Sequence, residues 1–321
     1  MDEHYDLEAA KVALAEILRE RTNIHSSKGS NVQLAHANIS EFQVSEFAKP
    51  RSWRLTEFSA ESAAMEEVVV RIQGVICAKM LPPVSKPPNL GAMTRQRPYI
   101  RQAATITGLG SEAFNKLHEN IELIFMAFAN TFPADSLDGW QGSGFNGLKA
   151  VDFHARYFDR RGPATDESED IPFSPLEDPE EVLAGMVGDG FFHGRDNAVN
   201  YVMRSITREG MVRYSPISPA SIRIGDIVEV SASFVVFPCR DNRYKMVPLL
   251  RGILLLNQEA RDVHRKADKT TYAQKAAILR MRSRFIPAPT PVLVSKRKPL
   301  YTDEEAVDET QRRMSRMNIG Q

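Results

Sequence analysis

The stretch Ile222–Leu256, IRIGDIVEVSASFVVFPCRDNRYKMVPLLRGILLL, constrains the fold more than any other part of the chain. It reads as two long apolar strands around a polar turn. In the first, Val228, Val230, Ala232, Phe234 and Val236 alternate with Glu229, Ser231 and Ser233, the period-two pattern of a strand with one dry and one wet face. In the second, Val247, Leu249, Ile253 and Leu255 are apolar, and so are Met246, Leu250, Leu254 and Leu256, which predicts cover on both faces. Pro248 within it points to a bulge or an edge position. CRDNR is too long for a two-residue turn, so a looser hairpin loop is expected.

Other segments supply partners for this pair. Glu67 to Ala78 is rich in β-branched residues and reads as a strand; Val151, Phe153, Ala155 and Tyr157 mark one face of another over 151–158. Leu7, Leu14, Ile17 and Leu18 predict a helix over 5–21. Ser111 is placed to cap a longer one over 111–131, with Phe114, Leu117, Ile121, Ile124, Phe125 and Phe128 at helical spacing as core residues. A short helix is expected from Pro179 to Val187 and another over 196–208. These elements predict an α+β fold with a mainly antiparallel β-sheet core, packed helices and a basic, partly helical C-terminal tail. The chain divides into an N-terminal helix and strand region (1–81), a proline-rich loop (82–98), an α+β core (99–260) and the tail (261–321), whose last twenty residues read as polar and frayed.

With 41 basic and 41 acidic side chains, overall charge favours neither a nucleic-acid nor a membrane partner; only its distribution can. No run approaches the ~18 apolar residues that a membrane span requires. The first residues carry acids rather than the basic start of a secretory signal. Cys77 and Cys239 both sit in apolar runs, which predicts buried thiols in a reducing compartment. The expected location is intracellular, nuclear or cytoplasmic.

Signals for chemistry are sparse. Gly142, Gly144 and Gly147 satisfy G-x-G-x-x-G, but the element expected after them is a strand, so they read as loop glycines. Asp152, His154 and Arg156 share one strand face, where a carboxylate, an imidazole and a guanidinium become neighbours able to position a proton. His193, between Asp189 and Arg195, could join them. No metal-ligand spacing and no cofactor motif is present, so neither a metal nor a cofactor is expected.

Charge layout points beyond the fold. Nine acids and no base lie between Asp166 and Asp189, whereas Arg261 to Lys298 holds eleven bases against Asp262 and Asp268. Arg265, Lys266, Lys269, Lys275, Arg280, Arg282 and Arg284 could contact phosphates or neutralise the acidic loop, and Lys296-Arg297-Lys298 resembles a short nuclear-import signal.

The segments FHARYFDRRGPATDESEDIPFSPLEDPEEVLAGMVGDGFFHGRDN and RIGDIVEVSASFVVFPCRDNRYKMVPLLRGILLL resemble ones in uncharacterised, multi-copy proteins of mushroom-forming (basidiomycete) fungi. The likeness covers roughly residues 145–257 and implies no activity. The leading expectation is a non-enzymatic binding module whose basic C-terminal segment contacts nucleic acid or an acidic protein, with no membrane partner. Two alternatives stand beside it: an enzyme using the Asp152/His154/Arg156 face, and a scaffold that self-associates through acidic loop and basic helix.

Overall fold

The computed structural model describes residues 5–22, 32–48, 50–60, 62–85, 96–162, 170–188, 190–259 and 300–319. Its centre is a ring of five strands: β1 (Val70–Met80), β2 (Arg101–Thr107), β3 (Leu148–Arg156), β4 (Ile227–Pro238) and β5 (Tyr244–Asn257). β1 pairs antiparallel with β2, β2 with β3, β4 with β5 and β4 with β1. β3 and β5 meet in parallel, Leu249 opposite His154, which closes the ring in the order β1-β2-β3-β5-β4. Alternation along the strands fills the interior: Ile72, Ile76, Ala104, Ile106, Val151, Phe153, Val228 and Val230 belong to one buried cluster.

Among the described residues three helices pack on this barrel: α1 (Leu7–Thr22), α2 (Glu112–Ala129) and α3 (Asp303–Ile319). The apolar stripe of α2, from Phe114 to Phe128, enters the barrel's own core, as its spacing predicts. Ser111 occupies the N-cap position, yet its hydroxyl makes no capping bond. Beyond the ring, β5 pairs in parallel with the strand Asn200–Ile206, which pairs in turn with Val212–Pro216. On the other side β4 touches the strand Arg51–Ser59, itself flanked by Gln43–Ala48 and Ala64–Glu67.

Strands and helices are both present, as expected, but the sheet is mixed: β5 has parallel neighbours in β3, Asn200–Ile206 and Leu137–Asp138. Residues 200–206 are strand, not helix, because Tyr201 and Met203 sit opposite Ile253 and Leu255 of β5 and tertiary pairing overrides local spacing. Between Pro179 and Val187 only one 3-10 turn forms, Ala184–Met186, with Asp178 accepting from the backbone of Val182 and Ala184. Ile227 faces Asn257 and Val228 faces Leu255, while Ser231 faces Gly252 and Ala232 faces Leu250, so the bulged residues of β5 are Leu256 and Arg251, not Pro248. Cys77 is buried but Cys239 is exposed, lying past the end of β4.

The largest departure concerns the second face of β4. Glu229, Ser231 and Ser233 are at most 1 % exposed. α1 and α3 cover that face, and arginines neutralise it. Glu229 pairs with Arg21 of α1 and Arg71 of β1, each at 3.3 Å, and accepts from Gln73 at 2.7 Å. Ser231 bonds Tyr301 at 2.8 Å, and Ser233 accepts from Arg251 at 3.3 Å. The C-terminal twenty residues, read as frayed, supply α3 with Glu305 and Glu309 buried against these arginines. No described helix is long and apolar enough to cross a membrane.

Candidate functional site

Alternation that sends Ala104, Ile106, Val151, Phe153 and Ala155 inward turns their neighbours outward on β2 and β3. The register places Arg101 opposite Arg156, Ala103 opposite His154 and Thr105 opposite Asp152. Arg101, Ala103, Thr105, Asp152 and His154 floor a groove of about 490 Å³, and Arg156 lies on the same strand face outside its lining. Met80 of β1 and Lys245 to Pro248 of β5 also line it. The segment 138–143 borders it, running from Asp138, beside Lys245, to Ser143, beside Ala150.

Trp140 on that segment is half-buried. Its indole rests against the His118 ring of α2, centroids 5.7 Å apart, and His118 in turn packs on Phe114. Gly142 makes this possible: a Cβ there would lie 2.8 Å from His118 Cε1, closer than such atoms approach. The glycines at 142, 144 and 147 thus serve a hairpin of Ser143–Phe145 on β3 and no phosphate loop. His118 is buried, and burial, with Lys149 nearby, pushes its pKa down to about 4.

Charge in the groove is unequal. Arg101, Arg156 and Lys245 all act on His154; burial first, then these cations, hold its pKa at about 4, against a weak opposing pull from Asp152. His154 is therefore neutral at pH 7. Asp138 is engaged by Arg243 at 2.5 and 2.6 Å. Asp152 accepts from the Thr105 hydroxyl at 2.6 Å and from the Ser143 hydroxyl. The β4–β5 turn adds Arg240 and Arg243, both exposed, next to the groove's Lys245.

Asp152, His154 and Arg156 do share one outward face. Asp152, however, bonds Thr105 and Ser143, and Arg156 lies opposite Arg101, so the trio forms no relay through His154. His193 is elsewhere, its Nδ1 2.8 Å from the Tyr157 carbonyl and its ring 4.0 Å from Phe173. Among the described residues no group of His, Cys, Asp and Glu is placed to hold a metal ion. Arg265, Lys266, Lys269, Lys275, Arg280, Arg282 and Arg284 lie outside the described residues, as do Lys296, Arg297 and Lys298. Of the acidic run, Asp170 pairs with Arg161 at 2.5 Å and Asp178 is spent on backbone N–H groups.

Sequence reasoning passed over Trp140, Arg101, Thr105, Ser143 and Lys245. One signal was available: one of only two tryptophans stands in the glycine-rich run GWQGSG, where a core role is least expected.

No protein family and no curated protein matches the chain. Among solved structures, the crystal structure of gp2.5, a single-stranded DNA binding protein encoded by bacteriophage T7, is similar at 12 % identity and a TM-score of 0.29, over 59 % of this chain and 91 % of that one. A likeness at that TM-score carries no argument about this chain's fold or function.

Proposed function

We propose that the protein binds single-stranded nucleic acid across the outer face of β2 and β3. A five-stranded Greek-key barrel closed in this order is the architecture of OB-folds, whose binding surface is the face of the second and third strands with the loops joining strands one to two and four to five. The observation that carries the reading is the groove on that face, where Arg101 and Lys245 accompany the half-buried indole of Trp140 and Arg156 acts on His154 from beside it. Cations to track phosphates and an aromatic for bases to stack on are what single-strand binding needs. A sugar-binding groove would not need three cations in this arrangement. The eleven bases between Arg261 and Lys298 add a second source of phosphate contact in the same chain.

The test is a salt titration of binding to single-stranded oligonucleotides, followed by Trp140 fluorescence. Three neutralised phosphates at about 0.7 each give a log–log slope near −2 from the groove alone. Arg101→Glu combined with Lys245→Glu abolishes that binding while leaving the fold intact. Unchanged affinity in this double variant overturns the reading.

A further inference from the structure

We infer that Asp152 makes this groove selective for guanine in a single strand; the inference rests on the nucleic-acid reading of the same groove. A carboxylate in a groove that also holds Arg101 and Lys245 works against a track for phosphates alone. The groove's other carboxylate, Asp138, is matched by Arg243. Asp152 is exposed and held instead by two neutral hydroxyls, Thr105 from β2 and Ser143 from the bordering hairpin. Those bonds take one acceptor position on each oxygen and leave each oxygen another. The carboxylate is thereby fixed in orientation by partners that carry no charge.

A ligand group facing it must offer two adjacent donors. Guanine does so, with N1–H beside the N2 amino group. Adenine and cytosine set their amino donor beside a ring nitrogen acceptor, and thymine and uracil flank one imino N–H with two carbonyls, so each would turn lone pairs toward the carboxylate. Single strands expose these edges, which a duplex keeps paired. Trp140 lines the same groove, three residues before the Ser143 that bonds Asp152, and the inference is that a base stacked on the indole turns its edge to that carboxylate. Phosphates then follow Arg101, Arg156 and Lys245.

The experiment compares thymidine oligomers of about 12 nucleotides, within the span of one such barrel, carrying a single central guanine, hypoxanthine, adenine or cytosine. The same series is run in ribonucleotide form, so that DNA and RNA are told apart. Guanine in either series is expected to bind about tenfold tighter than the other bases, and hypoxanthine, which lacks the N2 amino group, to lose most of that gain. Asp152→Asn is expected to erase the preference, bringing the ratio of guanine to hypoxanthine affinity to about one. Equal binding of guanine and hypoxanthine in both series overturns the inference and leaves the groove reading standing, as does a guanine preference that survives in Asp152→Asn. Failure to bind any oligomer fails the groove reading itself. The guanine-to-hypoxanthine comparison uses the unaltered protein and decides the matter even where Asp152→Asn does not fold.

Discussion

Arg71 of β1 and Glu305 of α3, 234 residues apart, form a two-point ion pair in the interior, with Nη2 to Oε2 at 3.0 Å and a second bond from Nη1 to Oε1. The same guanidinium lies 4.4 Å over the Tyr301 ring and 3.3 Å from Glu229. One turn along α3, Glu309 accepts from Arg21 at 3.3 Å, from Arg204 Nε at 2.6 Å and from the Tyr214 hydroxyl. The last helix is therefore held by buried charge, and removing one partner strands the other in a dry site. Glu305→Ala is expected to cost about 3–5 kcal/mol in urea unfolding. A change below about 1 kcal/mol, typical of an exposed pair, would show that the pairing contributes little.

The basic segment must be tested with α3 in place. Ending the chain at Ala260 would remove Glu305 and Glu309 and leave Arg71 and Arg21 short of partners. Replacing residues 261–298 by a neutral linker is expected to keep the unfolding midpoint and to make the salt dependence of binding shallower. Truncation at Ala260 is expected to lower the midpoint. An unchanged salt slope in the linker variant would confine phosphate contact to the groove.

Trp140→Ala is expected to weaken single-strand binding by about 1–3 kcal/mol, the usual contribution of base stacking on an aromatic ring. Trp53, the other tryptophan, is 7 % exposed in the core, so the fluorescence change on binding disappears with Trp140. Titrating both proteins with oligothymidine checks the two effects together.

Gly142→Ala separates placement of the indole from its presence. The added methyl meets His118 at 2.8 Å, and the segment 139–142, exposed except at Trp140, yields more readily than α2. A changed near-ultraviolet signal and weakened binding are expected, with stability little altered. Retained affinity would mean that the indole finds its position without His118.

Stability follows pH from both sides. His118 and His154 titrate near 4 in the folded chain against about 6.5 unfolded, so the unfolded state binds more protons in between. Their contribution is full above 6.5 and is lost as pH falls toward 4. Burial works to raise Glu309, but Arg21 and Arg204 hold it below its usual range, so its contribution is also lost toward acid. Glu177 behaves oppositely: burial lifts it to about 7, and its contribution, full below 4.5, is lost as pH rises through 7. His154→Gln should flatten the acid limb of a melting profile, and Glu177→Gln the decline near neutrality.

Much of the barrel was legible in the sequence. The alternation in Val228–Val236 and in Val151–Tyr157, and the stripe from Phe114 to Phe128, record local geometry that survives in any fold, because strand and helix periods are properties of the backbone. Even the shared face of Asp152, His154 and Arg156 was readable, since it needs nothing beyond period two. What those side chains face was not. Glu229 and Ser231 look like a wet strand face until opposite ends of the chain arrive, α1 with Arg21 and the residues leading into α3 with Tyr301. Asp152 looks like a partner for His154 until β2 and the 143–145 hairpin bring Thr105 and Ser143 to it. Only the tertiary structure decided these matters, because burial and charge pairing depend on which distant segments meet, and ring closure sets that through the pairing of β3 with β5.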